Sequence, residues 1–196
     1  MELEDKKIGF AFTGSFCTFD KLLPILNDLK NTGSKIIPIF SEKTQKTDTR
    51  YGKAKDIIDK IVDICGEKPI LTLTDAEPIG PNKLFDIMII APATGNTVAK
   101  LANGITDGVV LMAAKAHLRN QRPLVLAVST NDALGMNAKN IGLLLNTKNI
   151  YFVPFRQDDH KNKTNSLVAE YSLIIPTLIE ALQNKQIQPL LLGPNS

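Results

Sequence analysis

Short, fully apolar runs alternate along the chain with stretches in which apolar residues recur at helical spacing. Ile8 to Phe12 (IGFAF) is such a run and reads as a strand buried on both faces, ending at Thr13-Gly14-Ser15. Phe19, Leu22, Leu23, Leu26 and Leu29 then keep helical spacing up to Gly33, and Pro24 predicts a kink unless it falls in the first turn. Ile36 to Phe40 forms a second strand, whose Pro38 speaks against a central place in a sheet. Ser41 to Gly52 is polar and reads as a long loop, after which Ala54, Ile57, Ile58, Ile61, Val62 and Cys65 trace one helix face. Pro69 to Leu73 reads as a short strand, and Pro78-Ile79-Gly80-Pro81 as a turn.

The second half repeats the alternation. Ile87 to Ile90 is a buried strand that Pro92 is expected to end; the small polar residues Pro92 to Thr97 make a loop, and Val98, Leu101, Ala102 and Ile105 a helix. Thr106-Asp107 is expected to cap a helix through Leu111, Lys115 and Leu118. Pro123 to Ser129 is another buried strand, followed by Thr130-Asn131-Asp132. Met136 to Leu145 reads as a helix, Ile150 to Val153 as a late strand and Pro154 to Asn165 as a polar segment. A C-terminal helix of about 165–183, carrying Leu167, Tyr171, Ile174, Ile175, Leu178 and Leu182 and bent at Pro176, precedes a short tail. Strands alternating with crossover helices predict a single domain over 1–196: a three-layer, doubly wound α/β fold with a Rossmann/flavodoxin-like parallel sheet.

Composition narrows the function classes. With 43% hydrophobic and 22% charged residues and a net charge of +3 spread evenly, the chain shows no nucleic-acid footprint. No apolar stretch approaches the roughly 18 residues of a membrane span. Cys17 and Cys65 belong to no metal or redox spacing, and His117 and His160 are isolated, so no metal is expected and a reducing cytoplasm is. Gly9 to Gly14 lacks the GxGxxG spacing and no GxxxxGK[ST] loop exists, which disfavours a dinucleotide or P-loop site and leaves a mononucleotide such as FMN.

In a doubly wound sheet, ligands gather at the carboxyl ends of the strands. Four of those ends share one chemistry here: Thr13-Gly14-Ser15, Ser41, Thr94-Gly95-Asn96-Thr97 and Ser129-Thr130-Asn131. Neutral hydroxyls, amides and helix N-termini can hold a phosphate without lysine. Taken one at a time, the same residues read as helix caps. Cys17 reads as a small buried or semi-buried hydrophobe, and His117 as a residue that caps or decorates a helix end. Asp158 to Lys163 reads as a solvated flap or a mobile cover.

Ala91-Pro92-Ala93-Thr94-Gly95-Asn96-Thr97, with Ala99-Lys100 and Gly104-Ile105-Thr106-Asp107 behind it, resembles the PASANT motif of the flavoprotein superfamily of homo-oligomeric FMN-containing decarboxylases. Gly14-Ser15, Ser41 and the Asn131 of Val128 to Gly135 resemble that family's flavin loops and its PxMNxxMW motif, and the similarity runs from about Lys7 to Pro154. Three segments, Thr47 to Gly52, Val153 to Asp158 and Ser166 to Ala169, resemble a sporulation branch of the family.

The resemblance implies an FMN site, with a dehydrogenase-like partner carrying NAD(P). It implies a small pyridine-type dicarboxylate formed by oxidation, a homo-oligomer (trimer or dodecamer) and the mother-cell cytoplasm. On physical grounds, Gly14, Ser15 and the hydroxyls of Ser129 and Thr130 would hold the phosphate, while Ser41, Thr94, Asn96 and Thr97 line the rest of the nucleotide. Asn96 and Asn131 would orient a flavin edge or a substrate carboxylate and are the candidate catalytic residues. A dicarboxylate needs cations, and Arg50 and Arg156, which lie in polar loops near strand ends, are the candidates; the alternative is that both are solvated surface arginines. The alternatives are a decarboxylase or prenyl-transfer enzyme of the same family, or a non-catalytic partner of the dehydrogenase. Decarboxylation of a cysteine adduct is disfavoured: Ser41 to Gly52 contains no His, and Val128, Thr130, Leu134 and Gly135 replace the Pro, both Met and the Trp of the motif.

Overall fold

The structure is a computed structural model that describes residues 2–14 and 18–193. Five parallel strands form its centre: β1 (Lys7–Phe12), β2 (Lys35–Phe40), β3 (Ile87–Ala93), β4 (Leu124–Thr130) and β5 (Ile150–Phe152). They lie in the order β2-β1-β3-β4-β5, the doubly wound arrangement in which the chain reverses its direction of growth between β1 and β3. Two short strands, β6 (Phe155–Arg156) and β7 (Leu167–Ala169), extend the sheet: β7 runs antiparallel to the upper end of β4 and pairs with β6.

Burial on both faces explains why the central strands are continuous apolar runs. Along β3, Met88 and Ile90 enter one core while Ile87, Ile89 and Ala91 enter the other, as a two-residue period requires. The helices α1 (Phe19–Asn31), α3 (Ala54–Cys65) and α8 (Ile174–Leu182) cover one face through Leu26, Ile61 and Leu178. The other face is covered by α4 (Leu73–Ala76), α5 (Gly95–Ala102), α6 (Val109–Leu118) and α7 (Ala138–Leu145), through Ala76, Val98, Ala113 and Ile141. The expected three-layer α/β fold is therefore present. Among the described residues no helix is long and apolar enough to cross a membrane.

Several boundaries differ from the sequence reading, each for a physical reason. Pro92 does not end β3, which runs through it to Ala93 with a register shift against β4 between Ile90 and Ala93. Pro38 is tolerated because β2 is the outermost of the five strands: Phe40, two residues on, directs its N–H outward to Ile70 O, so the donor missing at Pro38 also faces outward. Pro24 lies inside α1 beyond the first turn, on its exposed side, four residues after the exposed Asp20 whose carbonyl it leaves without a helical donor. The stretch Pro69 to Leu73 contributes only an isolated bridge, Ile39 to Ile70, before α4 begins.

Within Ser41 to Gly52 a short helix, α2 (Glu42–Lys46), interrupts the expected loop. The helix after β3 starts earlier than expected, at Gly95, and stops at Ala102; Ile105 lies outside it beyond the left-handed Gly104. The start of α6 is capped at Gly108 rather than at Thr106-Asp107. Helix α7 begins at Ala138 rather than Met136. The terminal helix begins at Ile174, not near 165, because Leu167 to Ala169 is drawn into the sheet as β7. Pro176 thus sits in the first turn of α8, where its missing N–H has no intrahelical role.

His117 is fully buried at the end of α6, with Nε2 donating to Pro123 O at 2.9 Å beneath the Phe85 ring. It fastens α6 to the foot of β4 rather than decorating a helix end. Burial pushes its imidazole down to about 4, from the 6.5 of an unfolded chain. The neutral ring is the folded form, so its contribution is complete above pH 6.5 and is lost as pH falls toward 4, by about 3 kcal/mol at most. Urea unfolding at pH 7, 5.5 and 4.5 should show this decline. A His117→Gln variant, which keeps a donor for Pro123 O but does not titrate, should flatten it.

Candidate functional site

The carboxyl ends of β1 to β4 form one rim, and a single hydroxyl organises it. Pairing of β1 with β3 stops at Ala11 and Ile90, after which the strands part. Across the gap, the buried Thr13 hydroxyl donates to Pro92 O at 2.6 Å and accepts from Thr94 N at 3.2 Å. Thr94 is thereby fixed as the N-cap of α5. Its Oγ1 accepts from Thr97 N at 3.3 Å and lies 2.9 Å from Thr97 Oγ1. Ser41 repeats the arrangement at α2, accepting from Thr44 N at 3.2 Å with Thr44 Oγ1 2.9 Å away. The capping role of these residues is thus real, and it coexists with their place on the rim.

Two clefts open on this rim and meet over Gly14, Lys43 and Thr94. The first, of about 430 Å³, lies over the β1/β3 gap and is lined by Gly14, Ser41, Thr94, Asn96 and Thr97, with Val110 and Leu111 supplying an apolar side. Its charges balance within it. Lys100 binds Asp107 at 2.7 Å, which holds the Asp107 carboxyl below its usual range, and Glu42 Oε1 accepts the Val109 N–H at 2.9 Å and so caps α6. The second cleft, of about 830 Å³, is bounded by Thr18, Lys21, Ser129, Thr130, Asn131, Asp158, Lys163 and Ser166. Asn96 and Asn131 are both exposed, one in each cleft.

Gly95 separates the clefts and has no room for a side chain. A Cβ there would lie 2.6 Å from Thr130 Oγ1 and 2.7 Å from both Asn137 Nδ2 and Asp132 Oδ1. Those atoms belong to one network: Thr130 Oγ1 donates to Asp132 Oδ1 at 2.6 Å, Asn137 Nδ2 to Asp132 Oδ2 at 2.8 Å, and Asn140 Nδ2 to Asn137 Oδ1 at 2.9 Å. The Thr130 hydroxyl proton is therefore committed to Asp132, and Thr130 positions the start of α5 from behind.

Of the remaining sequence candidates, Ser15 and Cys17 lie outside the described residues. Arg50 sits away from both clefts, with its guanidinium 4.9 Å from the centre of the Tyr51 ring and donating to Tyr51 Oη at 2.7 Å. Arg156 donates to Glu170 at 3.1 Å and lines a separate groove with Lys21, Asp28 and Asp158. Cys65 is buried, and burial pushes its thiol up to about 12, so it is an inert core residue. The sequence assigned no role to Glu42, Lys43, Lys21 or Asp132, and placed Gly95 in the polar strand end after β3 and Lys163 in the flap or cover. The packing role of Gly95 carried a signal, a glycine at a helix start with no turn to make.

The chain belongs to the flavoprotein family, whose model matches residues 1–182. Within it, the chain is 47% identical over 189 residues to the B subunit of dipicolinate synthase from Bacillus subtilis (strain 168), covering 96% of this chain and 94% of that protein. The crystal structure of the same B subunit from Bacillus halodurans C superposes with a TM-score of 0.91 at 45% identity, over 100% of both chains. The FMN-dependent cysteine decarboxylase SpaF shares the fold, with a TM-score of 0.64 at 18% identity over 93% of this chain and 99% of that one.

The packing at Gly95 is testable. Alanine would ordinarily favour a helix by up to about 1 kcal/mol, but the added methyl must displace Thr130, Asp132 or Asn137. Gly95→Ala should therefore destabilise the fold by about 1–3 kcal/mol in urea unfolding.

Proposed function

We propose that this chain is the nucleotide-binding subunit of a dipicolinate-forming oxidoreductase. It binds FMN in the cleft over the β1/β3 gap. Its partner is a dehydrogenase that resembles the A subunit of dipicolinate synthase and carries NAD(P). Together they oxidise a dihydrodipicolinate-type precursor to pyridine-2,6-dicarboxylate. The observation that carries this reading is the position of the first cleft: it lies at the topological switch point of a β2-β1-β3-β4-β5 sheet, where such folds hold a mononucleotide. The likeness to the B subunit of dipicolinate synthase over nearly the whole chain supports the substrate class.

The residues present fit the group. In the first turn of α5 the Thr97 amide is taken by Thr94 Oγ1, the Gly95 and Asn96 amides have no partner within the helix, and the helix dipole adds a partial positive charge there. Gly14 lets the backbone approach closely, covered by the methylene groups of Lys43, whose Cδ lies 3.1 Å from where a Cβ would stand. Ser41, Thr94 and Thr97 wall the cleft with oxygen atoms, while Val110 and Leu111 offer an apolar side for a flat ring. The volume lies within the about 300–1,000 Å³ of small-molecule sites.

Aromatising a dihydropyridine removes two electrons and two protons, and FMN supplies a two-electron acceptor when bound. The chain's part is to orient: Asn96 presents an amide donor and acceptor from the first cleft and Asn131 from the second, which Ser129 and Thr130 also line. The working assembly is a homo-oligomer, trimer or dodecamer, in the mother-cell cytoplasm.

Titration of the purified chain with FMN, followed by the flavin absorbance bands and fluorescence, should show saturable binding. Asn96→Ala should weaken it by about tenfold, the equivalent of a lost hydrogen bond or two. No spectral change at saturating FMN would overturn the cofactor assignment. Dipicolinate formation should require both this chain and the dehydrogenase; the full rate from the dehydrogenase alone would reduce this chain to a non-catalytic partner.

A further inference from the structure

We infer that the second cleft is the dicarboxylate site and that Lys21 and Lys163, not Arg50 or Arg156, are the cations that hold the substrate's carboxylates. This inference rests on the proposed function and names the residues that would bind its substrate.

Charge distinguishes the three depressions near the rim. In the first cleft Lys43 and Lys100 face Glu42 and Asp107, so its net charge is zero. The groove beside Arg156 sets Lys21 and Arg156 against Asp28, Asp158 and Glu170, a net charge of −1. The second cleft sets Lys21, Lys43 and Lys163 against Asp158 alone, a net charge of +2, the complement of a dicarboxylate dianion. Two separate carboxylates entering either of the others would lose water without finding an excess of side-chain cations, whereas a single phosphate in the first cleft is met by the amides at the start of α5.

The three lysines come from three separate elements. Lys21 stands in the first turn of α1, Lys43 on α2, and Lys163 on the segment between β6 and β7. That segment is folded on itself: Gln157 Nε2 donates to Thr164 O at 2.8 Å, Asn162 N to Asp159 Oδ1 at 3.0 Å, and Ser166 Oγ to Asp158 Oδ1 at 2.5 Å. Asp158 also pairs with Lys163 at 3.4 Å, so the one carboxylate lining the cleft among the described residues keeps that ammonium beside it. Thr18, Asn131 and Ser166 supply neutral hydrogen-bonding groups beside the cations. Arg50 is occupied with Tyr51, and Arg156 with Glu170, outside this cleft.

The test uses the full chain, with and without FMN, and pyridine-2,6-dicarboxylate as the probe in metal-free buffer, read by calorimetry. Lys43 is left unaltered because it borders both clefts. Wild-type chain should bind the probe, more weakly as ionic strength rises. Lys21→Gln and Lys163→Gln should each raise the probe's Kd by about tenfold, the size of one lost charge-assisted contact, while Lys163→Arg keeps most of the affinity. Both Gln variants should retain the wild-type FMN Kd. A fall in FMN affinity instead would assign this cleft to the nucleotide phosphate and overturn the inference. Unchanged probe affinity in both Gln variants, or FMN binding without probe binding, would overturn it while leaving the nucleotide reading in place. Binding of neither would overturn both.

Discussion

The rim depends on the Thr13 hydroxyl. A doubly wound sheet must part its strands where growth reverses, and parting them strands backbone groups that the ladder would otherwise pair. Here those groups are Pro92 O and Thr94 N, and the buried Thr13 side chain satisfies both with one oxygen. A buried polar group left without a partner costs on the order of 1–3 kcal/mol, so a Val or Ala at this position would leave an open crevice with two orphaned groups in it. The tie also determines where α5 begins, because Thr94 is at once the recipient of the Thr13 contact and the cap of the helix. The crevice and the helix start that faces it are thus set by the same residue.

The two clefts differ in how their charges are engaged. Around the first, the ionic groups are largely committed to structure: Glu42 caps α6 and Lys100 pairs with Asp107. Such a site is electrostatically quiet, which suits a ligand whose one anionic group is met by backbone amides and a helix dipole. Around the second, cations exceed anions, which suits a compact dianion. The contact Gly95 makes with the network of Thr130, Asp132 and Asn137 keeps the clefts in register, since the start of α5 belongs to the first and Thr130 to the second.

The parallel core was legible in the sequence because its strands are buried on both faces and read as unbroken apolar runs. The runs at Ile8 to Phe12, Ile87 to Ile90 and Pro123 to Ser129 map onto β1, β3 and β4, and the rim residues Gly14, Ser41, Thr94, Asn96, Thr97, Ser129, Thr130 and Asn131 all line one cleft or the other. What escaped is what depends on partners distant in sequence. Nothing local to Glu42 shows that it caps a helix 67 residues away. Nothing in a three-residue stretch such as Leu167 to Ala169 separates a strand from the first turn of a helix; pairing with Ser129 and Thr130 decides it. The loop arginines drew notice because a guanidinium suits a carboxylate, whereas convergence of Lys21, Lys43 and Lys163 arises only once α1, α2 and the segment before β7 are folded together.

The divided edge of β4 explains why that convergence is possible. Its lower residues, Leu124 to Leu126, pair with β5 in the parallel sheet, while Ser129 and Thr130 at the top pair with antiparallel β7. A purely parallel sheet would place β5 along the whole edge and leave the top of β4 beside another strand-to-helix turn. Because β5 is only three residues long, the chain can leave it, form β6, and return as β7 against the upper end of β4. The segment bridging β6 and β7 then shares the second cleft with Asn131 and carries Asp158, Lys163 and Ser166 to it. The doubly wound core therefore builds the neutral side of the rim, and a small antiparallel extension of the same sheet builds the charged side.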